Sequence, residues 1–194
     1  MDSDALAGLD LAKPGNWIAG EDRGWAGDTL LVLSLVEGEY ERAVAAFAMF
    51  EPLAAENAQE AIRNPPNKYE RCLNQIYARA FVLSLDAITK LLEQLADVLQ
   101  PPQEVQTQID RYIAEFGYLR HMRNSIAHIE HRGRGQDRHQ RRIEAPVIVL
   151  GGFNERRYEF TGEDGAHYNV DISRDRVLAV RDTLQALLDA YQWQ

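Results

Sequence analysis

Apolar residues recur at helical spacing along most of the chain. The first periodic segment begins at Asp28 or Thr29, either of which can cap a helix, and extends to about Ala61. Its regularly spaced apolar residues are Leu33, Val36, Tyr40, Val44, Phe47 and Phe50. Pro65 and Pro66 follow, and they end the helix because proline lacks a backbone donor and restricts the residue before it.

Two more helices are predicted between proline breaks. The second covers about Lys68 to Leu99. The side of this helix expected to face the core is formed by Leu73, Ile76, Ala80, Leu83, Ala87, Leu91 and Leu95. After Pro101-Pro102, the third helix is predicted from about Gln103 to His131. Helices joined by such short turns pack as an antiparallel bundle.

The hydrophobic period changes after residue 131. Residues 131–144 are polar, basic and contain glycine, which predicts a mobile loop. Three strands are predicted next, at Val147–Leu150, Arg156–Thr161 and His167–Ile172, with turns at Gly151-Gly152 and Glu163-Asp164-Gly165. Ser173 can cap a last helix that extends to about Tyr191. The inward residues of this helix are Val177, Val180, Leu184, Leu187 and Leu188.

The predicted fold is therefore mainly α. It is an antiparallel helical bundle with a small antiparallel β-meander inserted at about residues 146–172, before the last helix. Residues 28–194 are expected to form a single domain, which suits the length of the chain. Residues 1–27 are rich in glycine without sustained periodicity, and they predict an irregular N-terminal extension.

Composition narrows the class of protein. No apolar run approaches the roughly 20 residues that a membrane span requires. The first residues, Met1-Asp2-Ser3-Asp4, lack the positive charge of a signal peptide. Cys72 is the single cysteine, which fits a reducing compartment. We therefore expect a cytoplasmic protein without a membrane partner.

Positive charge is concentrated in one part of an acidic chain. The formal net charge is −9, which by itself argues against a nucleic-acid partner. Between Arg111 and Arg142, however, there are eight arginines and only three acidic residues, together with four of the five histidines. This segment is the first indication of a functional surface.

The third predicted helix carries most of the cationic segment. At about 100° per residue, its apolar residues share one arc: Tyr112, Phe116, Leu119, Met122, Ile126 and Ile129. A second arc, nearly opposite, is formed by His121, Asn124, His128 and His131. Imidazole takes and gives a proton near neutral pH, so this polar stripe is a candidate for acid–base chemistry.

Two other interpretations of the stripe stay open. Helix surfaces are usually polar without a specific role, so a solvated face is the plain alternative. A metal site is the other, because His128 and His131 have workable ligand spacing and imidazole suits several transition metals. No acidic or thiol partner is expected to complete such a site, so we predict neither a metal nor any other cofactor.

Arg123 is poorly placed to act with His128 on a regular helix. It lies near the edge of the apolar arc, about 140° around the axis from His128. Cooperation on one phosphate requires a local distortion, an Arg123 side chain that reaches out from the bundle edge, or two copies of the helix that meet at a twofold axis.

The segment Arg123-Asn124-Ser125-Ile126-Ala127-His128 resembles the signature of the HEPN (higher eukaryotes and prokaryotes nucleotide-binding) superfamily. That signature is an Arg, then a polar residue, then a His four to six residues after the Arg. Here Arg123, Asn124 and His128 match its three positions. A bundle of long helices with the motif in a late helix is also similar to this superfamily. The resemblance covers roughly residues 29–131 and the last helix.

The resemblance implies a metal-independent endoribonuclease that is active as a homodimer, with both motifs at the interface. His128 is then the acid–base residue, Arg123 contacts the phosphate, and Asn124 orients either one. RNA-backbone contacts are expected from His121, His131, Arg132, Arg134, Arg138, Arg141 and Arg142. Such proteins often act as toxins or phage-defence effectors that an antitoxin restrains. The alternative that the resemblance leaves open is a non-catalytic adaptor that binds a partner protein, a nucleotide or RNA.

Overall fold

The computed structural model describes Leu9, Ile18 and residues 23–54, 62–145 and 147–193, apart from the side chains of Arg23 and Trp25. The predictions for most of the N-terminal extension and for residues 55–61 lie outside this part of the chain. The described chain is mostly helical, with a small antiparallel sheet immediately before the last helix. The predicted fold class is thus confirmed.

Six helices and three strands are found in the described ranges. The helices are α1 (Arg23–Phe50), α2 (Lys68–Leu99), α3 (Gln103–Phe116), α4 (Leu119–Ala127), α5 (Ile129–Arg132) and α6 (Arg174–Asp189). The strands are β1 (Leu150–Asn154), β2 (Arg157–Thr161) and β3 (His167–Asp171), paired in the order β1-β2-β3. None of the helices described is both long and apolar enough to cross a membrane.

The chain forms two compact units, and α1 and α2 contribute to both. The first unit comprises Met1–Val44, Ser84–Gly117 and Asp175–Gln194, and the regular elements that the structure describes within it are helices. Within it, the hydroxyl of Tyr112 on α3 donates to the carbonyl of Leu85 on α2 over 3.4 Å, so α3 folds back along α2. The inward residues predicted for α6 are all buried there.

The second unit comprises Ala45–Leu83 and Tyr118–Arg174, and it holds the sheet and the candidate motif. The sheet buries Tyr158, Phe160 and Val170. Arg79 of α2 donates from Nε to the Tyr158 hydroxyl over 3.0 Å. Helix α4 packs against all three strands, so the sheet is the support on which the motif rests.

Helix α1 differs from its prediction at both ends. It begins at Arg23, so residues 23–27 are helical rather than irregular. It ends at Phe50, and the 3₁₀ turn Glu51–Leu53 follows. The early end has a local cause, because Pro52 lacks a backbone donor and its ring clashes with the preceding helical turn.

Helix α2 has the predicted bounds but buries a different face. Asn67 caps its first turn by accepting the N–H groups of Tyr69 and Glu70 at 2.9 and 3.0 Å. Of the residues predicted to be inward, Ile76 and Leu83 are 51% and 41% exposed. The buried face is formed by Asn74, Ala78, Phe81, Val82, Ser84, Leu85, Asp86, Ile88, Thr89, Leu92 and Leu95. Several of these residues are polar, so the hydrophobic pattern alone selects the wrong side.

The first strand is shifted toward the C-terminus of its predicted range. Gly151 and Gly152, which predicted a turn, lie inside β1 at an irregularity of the register. Gly151 has a φ of +92°, and a Cβ there would lie 2.8 Å from the Tyr158 hydroxyl, so only glycine fits. The chain turns instead at Glu155 and Arg156, between β1 and β2.

Candidate functional site

The motif lies where a long helix is interrupted. The predicted continuous helix from Gln103 to His131 is wrong, because the chain breaks at Gly117-Tyr118 and again at His128. Gly117 favours the first break because glycine has a low helix propensity. At the second, His128 adopts φ −120° and ψ 38°, outside helical values, while its N–H still bonds to the Asn124 carbonyl over 3.1 Å. The helix thus stays regular up to the His128 N–H, and the chain changes direction after it.

The three motif residues are partly exposed, and a buried serine lies between them. Arg123, Asn124 and His128 each retain part of their surface. Ser125 is fully buried, and its hydroxyl donates to the Thr161 carbonyl of β2 over 2.8 Å. This bond attaches α4 to the sheet and leaves the flanking polar side chains at the surface.

Arg132 is not a surface residue, contrary to the role predicted for it. Its side chain is buried and donates from Nε to Ser125 Oγ over 3.3 Å and from Nη1 to the Gln136 carbonyl over 2.7 Å. Its Nη2 lies 3.0 Å from Glu163 Oε1, an ionic contact without hydrogen-bond geometry. Arg132 thus connects α4, α5 and the β2–β3 turn, and it is not available to an RNA phosphate.

The segment predicted as a mobile loop is a hydrogen-bonded hairpin. Gln136 and Arg142 form an antiparallel bridge, and Asp137 lies at the turn between them. Burial acts to raise the pKa of Asp137, but hydrogen bonds from the Arg141 and His139 backbones and from the Arg141 guanidinium lower it to about 2. The carboxylate is therefore charged at neutral pH and orders the turn.

Four arginines of this hairpin remain exposed, namely Arg134, Arg138, Arg141 and Arg142. Arg141 pairs with Asp137 over 2.7 Å, and Arg138 lies 3.6 Å from Glu163. Among the residues that the structure describes, the side chains of Arg134 and Arg142 have no ion-pair partner. A phosphate can therefore compete for Arg134, Arg138 and Arg142, whereas Arg141 also holds the buried Asp137 carboxylate.

The turn between β2 and β3 contributes two acidic residues, whose sequence pattern indicates only a turn. Glu163 approaches Arg132 and Arg138. Asp164 accepts a 2.5 Å hydrogen bond from the Tyr168 hydroxyl, and its Oδ2 lies 4.0 Å from His121 Nδ1. The contacts with Arg132 and His121 join residues more than 30 positions apart, and no local pattern indicates them.

His121 is held by this turn. Its ring stacks on Tyr168 with centroids 4.8 Å apart and planes 4° from parallel. Burial acts to raise the pKa of Asp164, but the Tyr168 hydroxyl, the Ala166 N–H and His121 together lower it. Burial and the Asp164 carboxylate raise the pKa of Tyr168 to about 12. At neutral pH, Asp164 is thus an anion that lies beside the His121 ring.

Two histidines stack on each other at the helix break. The rings of His128 and His131 stack with centroids 5.9 Å apart and planes at 20°. Glu130 adds a carboxylate oxygen 3.7 Å from His131 Nε2. One nitrogen of each imidazole and one oxygen of Glu130 lie within 4.8 Å of one another, a set that can hold a metal ion. The expectation that no acidic partner completes the pair was wrong, because the break at His128 brings Glu130 to it.

Comparison with known family models, curated proteins and solved structures finds no match to this chain. The candidate site therefore rests on the residues and geometry described above.

Proposed function

We propose that this protein is a metal-independent endoribonuclease of HEPN type that acts as a homodimer. The observation that carries the proposal is the Arg123-Asn124-x-x-x-His128 segment, whose three polar side chains are partly exposed at a helix end. The arginine-rich hairpin that follows it along the chain supplies positive charge for a polyanion.

The residues suit phosphodiester cleavage by the neighbouring 2′-hydroxyl. His128 accepts the proton of the 2′-hydroxyl while the oxygen of that hydroxyl forms a bond to phosphorus. The bond from phosphorus to the 5′-oxygen breaks, and the imidazolium returns the proton to that oxygen. The products are a 2′,3′-cyclic phosphate and a 5′-hydroxyl. Arg123 stabilises the negative charge on the phosphate oxygens, and Asn124 orients either group.

The RNA backbone is bound by the surrounding cationic surface. The contributing residues are His121, His131, Arg134, Arg138, Arg141 and Arg142. Arg132 is left out of this set because it is buried. Each phosphate contact adds to the salt dependence of binding. An antitoxin partner, and a role as a toxin or phage-defence effector in the cytoplasm, are parts of the same proposal that depend on the HEPN resemblance alone.

Incubation of the purified protein with RNA in EDTA tests the proposal. We expect cleavage by the wild type and products with 5′-hydroxyl ends, which a kinase labels without prior phosphatase treatment. His128→Ala and Arg123→Ala are each expected to lower the rate at least 100-fold, the usual scale for loss of an acid–base or charge-stabilising group.

His139→Ala is the matched control, since His139 lies on the exposed hairpin outside the motif. It is expected to cleave at close to the wild-type rate. Intact RNA with the wild type, or equal rates for His128→Ala and His139→Ala, contradicts the proposal. RNA that binds in a salt-dependent manner and stays uncut favours the non-catalytic adaptor instead.

A further inference from the structure

We propose that His128, Glu130 and His131 form a binding site for a first-row transition-metal ion, Zn²⁺ foremost, and that its occupation switches off the catalytic imidazole. The metal-binding part stands on the geometry alone. The inhibitory part rests on the proposed ribonuclease function, because only there does His128 have a proton to accept.

The interruption of the helix creates the donor set. His128 is the C-cap of α4 and also the N-cap of α5. Its carbonyl accepts the N–H groups of His131 and Arg132 at 3.1 Å each. On the continuous helix that the sequence predicts, Glu130 would lie about 160° around the axis from His128. The non-helical dihedral angles of His128 instead bring all three donors within 4.8 Å of one another.

One donor distance is close to that of an occupied site, and the set as a whole exceeds that spacing by up to about 1.4 Å. Bonds of about 2.1 Å from a tetrahedral zinc ion place its ligand atoms about 3.4 Å apart. The Glu130 oxygen and His131 Nε2 are 3.7 Å apart and need almost no movement. All three side chains keep some exposed surface, so small rotations toward a common ion are sterically open.

The donor chemistry selects the class of ion. Two neutral imidazoles and one carboxylate are a zinc-type set with a fourth position left for water, and the same ligands also take Co²⁺, Ni²⁺ and Cu²⁺. Mg²⁺ and Ca²⁺ prefer oxygen ligands and are expected to bind poorly.

The surroundings of His131 indicate a labile rather than a structural ion. His131 Nδ1 is buried and has no hydrogen-bond partner among the described residues. When Nε2 ligates a metal, Nδ1 carries the proton, and ligating histidines normally donate that proton to an acceptor. Lack of the acceptor lowers affinity by about 10- to 100-fold. An ion held at this strength can enter and leave, which is what a regulatory site requires.

Occupation of the site and catalysis exclude each other at His128. The imidazole nitrogen that binds the ion donates its lone pair to the metal, so that lone pair cannot accept the proton of a 2′-hydroxyl. Zinc is therefore expected to inhibit the ribonuclease, and a chelator to restore it.

Calorimetric titration of the chelator-treated full chain with Zn²⁺ tests the binding site. We expect one ion per chain, and Co²⁺ in its place should give the visible absorption of a tetrahedral site. Glu130→Gln and His131→Ala should each lower the affinity at least tenfold. Their matched controls, Glu144→Gln and His139→Ala, change exposed residues outside the cluster and should bind as the wild type does. No binding, or equal affinities for the cluster variants and their controls, overturns the site.

Cleavage of RNA in zinc and in EDTA tests the inhibition separately. Zn²⁺ at ten times the wild-type Kd is expected to slow RNA cleavage by the wild type about tenfold relative to cleavage in EDTA. The same zinc concentration should slow Glu130→Gln by no more than about twofold, because that variant binds zinc at least tenfold more weakly. Equal inhibition of both proteins overturns the competition at His128. A protein that binds zinc at this cluster but never cuts RNA overturns the proposed function and leaves the metal site standing. A protein that cuts RNA but does not bind zinc overturns the metal site and leaves the proposed function standing.

Discussion

At the scale of single residues, the side chains of the motif segment fall into an exposed set and a buried set. Arg123, Asn124 and His128 lie at the surface, whereas Ser125 is buried against the sheet. Arg132 joins the buried set through Ser125, the Gln136 carbonyl and Glu163. Chemical type alone does not separate Arg132 from the exposed arginines that follow it.

Replacement of Arg132 is expected to destabilise the fold. Arg132→Ala removes one partner of a buried ionic contact and leaves the Glu163 carboxylate and the Ser125 hydroxyl without their guanidinium, at a cost of about 3–5 kcal/mol. Arg132→Met, which fills a similar volume, should cost less. The free energy of unfolding in urea measures both.

Arg134→Ala is the control, since Arg134 is exposed two residues further along the chain. It should change stability by no more than about 0.5 kcal/mol. Equal stabilities for Arg132→Ala and Arg134→Ala would show that the buried contacts of Arg132 contribute nothing to the fold.

At the scale of secondary-structure elements, long amphipathic segments were predictable, and their interruptions were only partly so. The bounds of α2 and the burial of the α6 face follow from caps, proline positions and hydrophobic spacing. The break at His128 has no such local signal. It accompanies long-range contacts, because Ser125 bonds to β2 and Arg132 reaches Glu163 in the β2–β3 turn.

The buried side of α2 gives a direct test at this scale. Leu85 is fully buried, whereas Leu83, two residues earlier, is 41% exposed. Leu85→Ala should therefore cost about 2–5 kcal/mol, the range for large-to-small changes in a core. Leu83→Ala, the same chemical change on the exposed side, should cost under about 1 kcal/mol. The urea unfolding midpoints of the two variants measure the difference, provided that their m-values are equal. Equal losses of stability in the two variants would mean that the helix buries its other face.

At the scale of the whole molecule, the proposed enzyme is a dimer in which one site takes groups from two chains. This arrangement follows from the HEPN resemblance, and it explains why polar motif residues occupy a surface. A twofold axis would bring Arg123 of one chain to His128 of the other.

A mixed dimer distinguishes a shared site from one formed within a single chain. Arg123→Ala and His128→Ala chains with different tags are co-expressed, and the heterodimer is purified through both tags. If each site takes Arg123 and His128 from different chains, the heterodimer retains one complete site of two and about half of the wild-type rate. A heterodimer as inactive as either parent homodimer, or a wild-type protein that stays monomeric, contradicts the shared site.

The sequence by itself determined the helical class, the position of the sheet before the last helix, the extent of α2 and the segment that carries the candidate chemistry. These features depend on local periodicity, on proline and on the order of residues along the chain. Only the tertiary structure decided that Arg132 is buried, that Glu163 and Asp164 approach residues on either side of the motif segment, and that Glu130 joins His128 and His131. The physical reason is that each of these outcomes depends on where the β2–β3 turn and the break at His128 place side chains in space. Contacts between distant residues, and burial against a sheet, leave no periodic signal in the chain.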